Sequence, residues 1–153
     1  MSWLSGKELN NLIQRNGDKS TKQAFLGVFA MDNLPEQIPH LPILLIINTQ
    51  TSNLPGEHWK AVYISEDKYG EVFDSFALPV SIRLLQWMNT FSWKWIRSSL
   101  TVQSPLSALC GVYTLYYVLT RLHIRNMRSL QQYFSKDLRK NDRLMTTFYK
   151  TLK

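Results

Sequence analysis

The segment Gln103-Ser-Pro-Leu-Ser-Ala-Leu-Cys-Gly111, followed directly by Val112-Tyr-Thr-Leu-Tyr-Tyr-Val-Leu-Thr-Arg-Leu-His-Ile124, decides how the chain is read. The second part is apolar almost all round, which fits a helix buried in the middle of a domain. The first part holds the only cysteine. Ser107 is a candidate cap, which sets Cys110 at about the third position of that helix. The unpaired N–H groups and the macrodipole at a helix start favour an anion, so a thiolate is stabilised there. A lone cysteine is more often a small buried hydrophobe, and the rest of the chain has to decide between the two readings.

Working outward, Ser98-Ser-Leu-Thr-Val-Gln103 reads as the end of a short strand leading into the cysteine turn. Upstream, His58-Trp-Lys-Ala-Val-Tyr-Ile64 and Glu71-Val-Phe-Asp-Ser-Phe76 are β-branched and aromatic runs. Between them Ser65-Glu-Asp-Lys-Tyr-Gly70 is turn-rich and ends in glycine, a hairpin signal. Pro79 to Phe91 reads as a helix with Ile82, Leu85 and Met88/Asn89 one turn apart. Ile43 to Asn48 reads as a buried strand. The stretch from Ala24 to Pro42, with its glycine and three prolines, reads as an ordered loop. Leu9, Leu12 and Ile13 mark a first amphipathic helix, with Ser5 as cap and Gly17 as stop. Two more amphipathic segments are expected near 127–135 and 141–151. The order predicts an α+β fold, with helices packed on a small mixed or antiparallel sheet.

Composition bounds the rest. The 153 residues, 44% apolar, predict one domain over residues 1–153. Nothing at the start reads as a secretory leader, and the longest apolar run is far too short for a bilayer, so a soluble chain without a membrane partner is expected. One cysteine forms no internal disulfide, and with His40, His58 and His123 scattered the chain lacks zinc-ligand spacing; no metal is expected. A net charge of +7 favours polyanionic partners. Much of the excess lies late, at Arg121, Arg125, Arg128, Lys136, Arg139, Lys140, Arg143, Lys150 and Lys153, which fits either solvated helix faces or a nucleic-acid-binding stripe.

A nucleophilic cysteine needs a base, and His58 alone has the right company. It opens the first hairpin strand while Asp74 lies on the second. A loop of three or five residues makes the two direct cross-strand neighbours, with Cβ atoms about 5 Å apart; the sequence does not fix that register. A carboxylate beside the ring selects the tautomer and stabilises the imidazolium. Gln103, ahead of the cysteine turn, can share a pocket with the Cys110 N–H and stabilise a developing oxyanion.

These residues carry a resemblance. Gly56-Glu-His-Trp59, Phe73-Asp-Ser-Phe76 and above all Gln103 to Gly111 resemble the adenain family, the adenovirus maturation proteases, and more distantly the SUMO-specific proteases of the same fold. Family members read Gly-X-His-Trp, then Phe-Glu/Asp-X-Phe, then Gln-X-Pro-X-Ser-X-X-Cys-Gly. Phe25 to Pro35 and Ile46 to Thr49 also look adenain-like, and the similarity spans about residues 8–120.

The resemblance implies a cysteine endopeptidase in which Cys110 is the nucleophile, His58 the base and acid, Asp74 its orienting residue and Gln103 the oxyanion donor. It implies cleavage of capsid or core precursors near glycine-containing sites, with no cofactor. Gly56, Glu57 and Trp59 flank the base as candidate substrate-binding residues, Trp59 being equally readable as a core aromatic. Adenovirus enzymes are activated by DNA and by a capsid-derived peptide disulfide-linked to a second cysteine. That cysteine is missing here, so an activating peptide has to bind non-covalently. A monomer in the host nucleus and virion is expected. Asp74 stands where many adenains have Glu, Ala77 where Gly is common, and the C-terminal end is shorter than in the adenovirus enzymes. Two other readings compete: a deconjugase acting on ubiquitin-like tails, and a non-catalytic basic module binding DNA or capsid.

Overall fold

The computed structural model describes residues 3–49 and 58–153. Helix α1 (Gly6–Asn16) starts as its sequence dictates: Ser5 and Glu8 close a reciprocal capping box, and Leu9 and Ile13 are buried. A short helix α2 (Lys19–Ala24), capped by Asp18, leads into strand β1 (Phe25–Ala30) and a 3-10 turn at Met31–Asn33. Strand β2 (Ile43–Asn48) and the hairpin β3 (Trp59–Ile64) and β4 (Tyr69–Phe73) follow. Then come α3 (Ile82–Phe91), β5 (Lys94–Arg97), α4 (Cys110–Thr120), α5 (Met127–Gln131) and α6 (Leu138–Thr151).

The five strands form one mixed sheet in chain order, parallel at β1–β2 and β4–β5 and antiparallel between. Helices cover both faces, which is why β2 is apolar at every position from Ile43 to Ile47. Leu44, Ile46, Trp59, Ala61 and Phe73 face α1, α4 and α6. Ile43, Leu45, Ile47, Val62, Ile64 and Val72 face α3. On the first side Glu71 is buried and takes Nε and Nη2 of Arg121 at 2.7 and 2.9 Å, the Tyr117 hydroxyl at 2.6 Å and the Met127 amide at 3.1 Å. These bonds tie the far end of α4 to the sheet.

Four expectations change. The stretch read as a loop contains β1: Gly27 adopts φ 136° at a register shift between Phe25 and Gly27, so the glycine marks a bulge inside a strand. The buried stripe of α3 is Leu84, Trp87 and Met88, while Ile82 is 75% exposed, because Ser81 caps the helix and sets its phase. The strand expected at 98–103 lies earlier, at β5; residues 98–103 run alongside β4 and its turn without forming a ladder, held by Ser98 N on Val72 O and Val102 N on Ser75 O. Gly70 belongs to β4, and the left-handed turn residue is Lys68, φ 66°. A Cβ at Gly70 would lie 2.6 Å from Met88 Cε and 3.0 Å from Trp95 Cβ, so this glycine lets α3 approach the sheet.

Candidate active site

The turn leading into Cys110 is built from residues 103–110. Ser107 Oγ accepts from the Leu109 N–H, and Leu109, with no side-chain cap bond, is the N-cap of α4. Cys110 is therefore the first residue of the helix and not the third, because Ser107 spends its hydroxyl inside the preceding turn. The thiol remains at the helix start, where the first N–H groups have no partner within the helix. Gly111, next in line, lets Leu4 and Trp59 close in: a Cβ there would meet Leu4 Cβ at 3.3 Å and Trp59 Cδ1 at 3.4 Å. Cys110 is fully buried.

The histidine comes from the hairpin. His58 immediately precedes β3 and Asp74 immediately follows β4. The β3–β4 register pairs Ala61 with Phe73, and extending it sets His58 opposite Phe76 and Lys60 opposite Asp74. His58 and Asp74 are thus diagonal and not direct neighbours, and the ring of Phe76 lies 5.1 Å from that of His58. The diagonal still closes: His58 Nε2 is 2.6 Å from Asp74 Oδ1. The backbone aims the carboxylate. Phe76 N–H donates to Oδ1 at 2.9 Å, Leu78 N–H to Oδ2 at 3.1 Å, and the Asp74 amide is itself held by Ser98 Oγ at 2.9 Å. This turn puts Ala77 at φ 52°, left-handed backbone that glycine adopts without strain. The glycine common at this position in adenains has a physical reason, and the alanine here is strained.

Electrostatics follow from this packing. Burial disfavours the charged imidazole, but hydrogen bonding to Asp74, interaction with Cys110 and the charges of both push His58 up to about 9. Asp74 is held below the usual carboxylate range: burial opposes its charge, and the hydrogen bond and charge of His58, then Lys60 and the Phe76 amide, outweigh it. An ionised Asp74 only accepts, so Nε2 carries a proton and Nδ1 is the atom left for the thiol. Among the described residues Nδ1 has no hydrogen-bond partner and is shielded from solvent.

Gln103 is fully buried. Ser75 Oγ donates to its Oε1 at 2.5 Å, which turns the amide nitrogen toward the cysteine turn, where Nε2 donates to Ser107 O at 2.9 Å. The C-terminal helix clamps both neighbours of Gln103. Asn141 Nδ2 donates to Val102 O at 2.9 Å, and Asp142 Oδ1 accepts from the Ser104 amide at 3.4 Å and the Tyr113 hydroxyl at 2.7 Å.

The structure brings His58, Asp74, Gln103 and Cys110 to one end of the sheet. Trp59 is 5% exposed, packs under the helix start and donates its indole N–H to Leu4 O at 3.0 Å, a core position. Gly56 and Glu57 lie outside the described residues. Sequence reasoning missed Ser75, Lys60, Asn141 and Asp142. Only Lys60 had a visible signal, a charge inside an apolar strand. Arg121 is consumed by Glu71, while the eight later basic residues from Arg125 to Lys153 are exposed. Among the described residues no His, Cys, Asp and Glu side chains group to hold a metal, and no helix is long and apolar enough to cross a membrane.

No protein-family model and no curated protein matches the chain in sequence. Solved structures do match: the ASFV pS273R protease, with a TM-score of 0.63 and 17% identity over 81% of this chain and 59% of that one. The fold is that of a cysteine protease. The selenomethionine form of the same protease gives a TM-score of 0.58, with 17% identity over 82% of this chain and 60% of that one. This chain therefore spans about three fifths of the length of the structures it matches. The match shows a shared fold and does not single out the adenain family.

Proposed function

We propose that the protein is a cysteine endopeptidase. The observation that carries this reading is the imidazole of His58, hydrogen-bonded on one side to an ionised Asp74 and coupled electrostatically to Cys110 at the start of a buried helix. His58 Nδ1 holds the thiol proton before the attack, and the Cys110 sulfur, as thiolate, attacks the scissile carbonyl. The oxyanion is received by the Cys110 N–H and by Gln103 Nε2 once the amide leaves the Ser107 carbonyl. Protonated His58 then gives its proton to the leaving amine, which departs and leaves a thioester. Water, deprotonated by neutral His58, hydrolyses the thioester and restores the thiol. An electrophilic peptide mimic ending in glycine tests the assignment: it should label Cys110, and Cys110→Ala should abolish turnover. Labelling elsewhere, or an active Cys110→Ala, overturns it.

The adenain resemblance supports glycine-containing cleavage sites in viral capsid or core precursors. Turnover of Leu-X-Gly-Gly peptides against a ubiquitin-like fluorogenic substrate separates this from deconjugation. The exposed basic residues of the last helices support a DNA-stimulated enzyme. Salt-sensitive stimulation by DNA is the expected result, and unchanged turnover removes DNA from the proposal.

A further inference from the structure

Lys60 has no place in the apolar logic of β3. It sits between Trp59 and Ala61, pairs with Ile47 of β2 and is only 4% exposed. A lysine so buried keeps its charge only beside a partner. Its Nζ lies 3.3 Å from Asp74 Oδ2, on the carboxylate whose Oδ1 is 2.6 Å from His58, and its other polar contact is Pro79 O at 3.4 Å. The carboxylate thus bridges two cations, one on each oxygen.

We propose that Lys60 is a positioning residue of the site, anchoring the second oxygen of Asp74 and tempering the negative charge that the first presents to His58. The kinetic consequence rests on the endopeptidase reading; the titration below does not. Phe76 N–H and Leu78 N–H fix the plane of the carboxylate, but neither carries a full charge. With Lys60 in place, part of the carboxylate's field is spent on the ammonium. The imidazolium is then held less tightly and releases its proton more readily to a leaving amine, since a general acid works best near its operating pH. Among the described residues, the other charged or titratable groups of this cluster are Cys110 from α4 and Arg97 from β5, whose guanidinium is on the carbonyls of Ala77 and Ser98.

The test uses Lys60→Met, Lys60→Gln and Lys60→Arg, with the His58 ring titrated by NMR and kcat and KM followed against pH on a glycine-containing peptide. In the Met and Gln variants the His58 midpoint and the alkaline limb of kcat should rise together by about half a unit or more. At neutral pH kcat should fall about threefold with KM within about twofold, and Arg should restore the midpoint and most of kcat. An unmoved midpoint in the Met and Gln variants, or an Arg variant as displaced as they are, overturns the proposal. Gln keeps a donor without the charge and decides the question if Met destabilises the fold. A wild type with neither turnover nor Cys110 labelling refutes the endopeptidase reading and leaves the titration result standing.

Discussion

Asp74→Asn is the sharpest perturbation of the site, because the hydrogen bonds around the carboxylate dictate how the amide must sit. Each carboxylate oxygen already receives donors: Oδ1 from Phe76 N–H and His58, Oδ2 from Leu78 N–H and Lys60. An amide NH2 at Oδ2 faces two donors that cannot reverse. At Oδ1 it faces one such donor and His58, which can present a lone pair by moving its proton from Nε2 to Nδ1. The variant therefore selects the wrong tautomer and blocks the atom that should take the thiol proton. It also removes the hydrogen bond and charge of Asp74 that help lift His58 to about 9, leaving only Cys110 to oppose burial, so the midpoint falls. At pH 7.5 the imidazolium fraction therefore falls from nearly complete. The tautomer adds to this, for a total loss of about 10³–10⁴-fold in kcat/KM. Steady-state cleavage of a glycine-containing peptide measures the loss, and NMR titration reads the His58 midpoint directly. Retention of kcat/KM within about tenfold, with His58 still titrating near 9, refutes the reasoning.

Three further outcomes are expected. His58 is raised in the folded state, so its favourable contribution is complete below pH 6.5 and is lost as pH rises through about 9; its full size is about 3 kcal/mol. Urea unfolding at pH 6 and pH 10 should show this decline in the wild type and not in His58→Gln, and equal declines in both would remove His58 as the cause. Ala77→Gly relieves a left-handed alanine at φ 52° and should raise stability by about 0.5–1 kcal/mol, or Tm by about 1–4 °C; a lowered Tm contradicts the strain argument. Asn141→Ala removes a donor from the Val102 and Ser135 carbonyls and the acceptor of the Ser135 amide and should cost about 1–3 kcal/mol of stability. Assayed well below its Tm, it should lose kcat severalfold, since Val102 precedes Gln103, and unchanged kcat would show that the clamp does not reach the site.

What could be read from the sequence follows from how local each signal is. The Ser5 capping box, the β2 run and the buried helix after Cys110 are patterns within one element, and all appear where expected. The pairing of His58 with Asp74 was legible because a hairpin brings close residues together, although the diagonal depends on a register that only packing fixes. Strand β1 was hidden because Gly27 and the prolines after it carry loop chemistry, while the ladder to β2 that overrides them is a tertiary interaction. Cys110 moved two positions along its helix because Ser107 had a nearer use for its hydroxyl. The clamp from Asn141 and Asp142 joins residues nearly forty positions apart, and no periodicity announces such a bond.

That clamp also changes where the proposed activity is vulnerable. A cavity of about 470 Å³ lies beside it, bounded by Thr101 and Val102 on the connector and by Gln131, Phe134 and Ser135 on the approach to α6. A compound wedged there would prise the last helix from the segment bearing Gln103 and, on the endopeptidase reading, disarm the site from behind, lowering kcat while leaving KM alone. Such an inhibitor would not compete with peptide, and the same lever makes the C-terminal end a poor place for a bulky fusion.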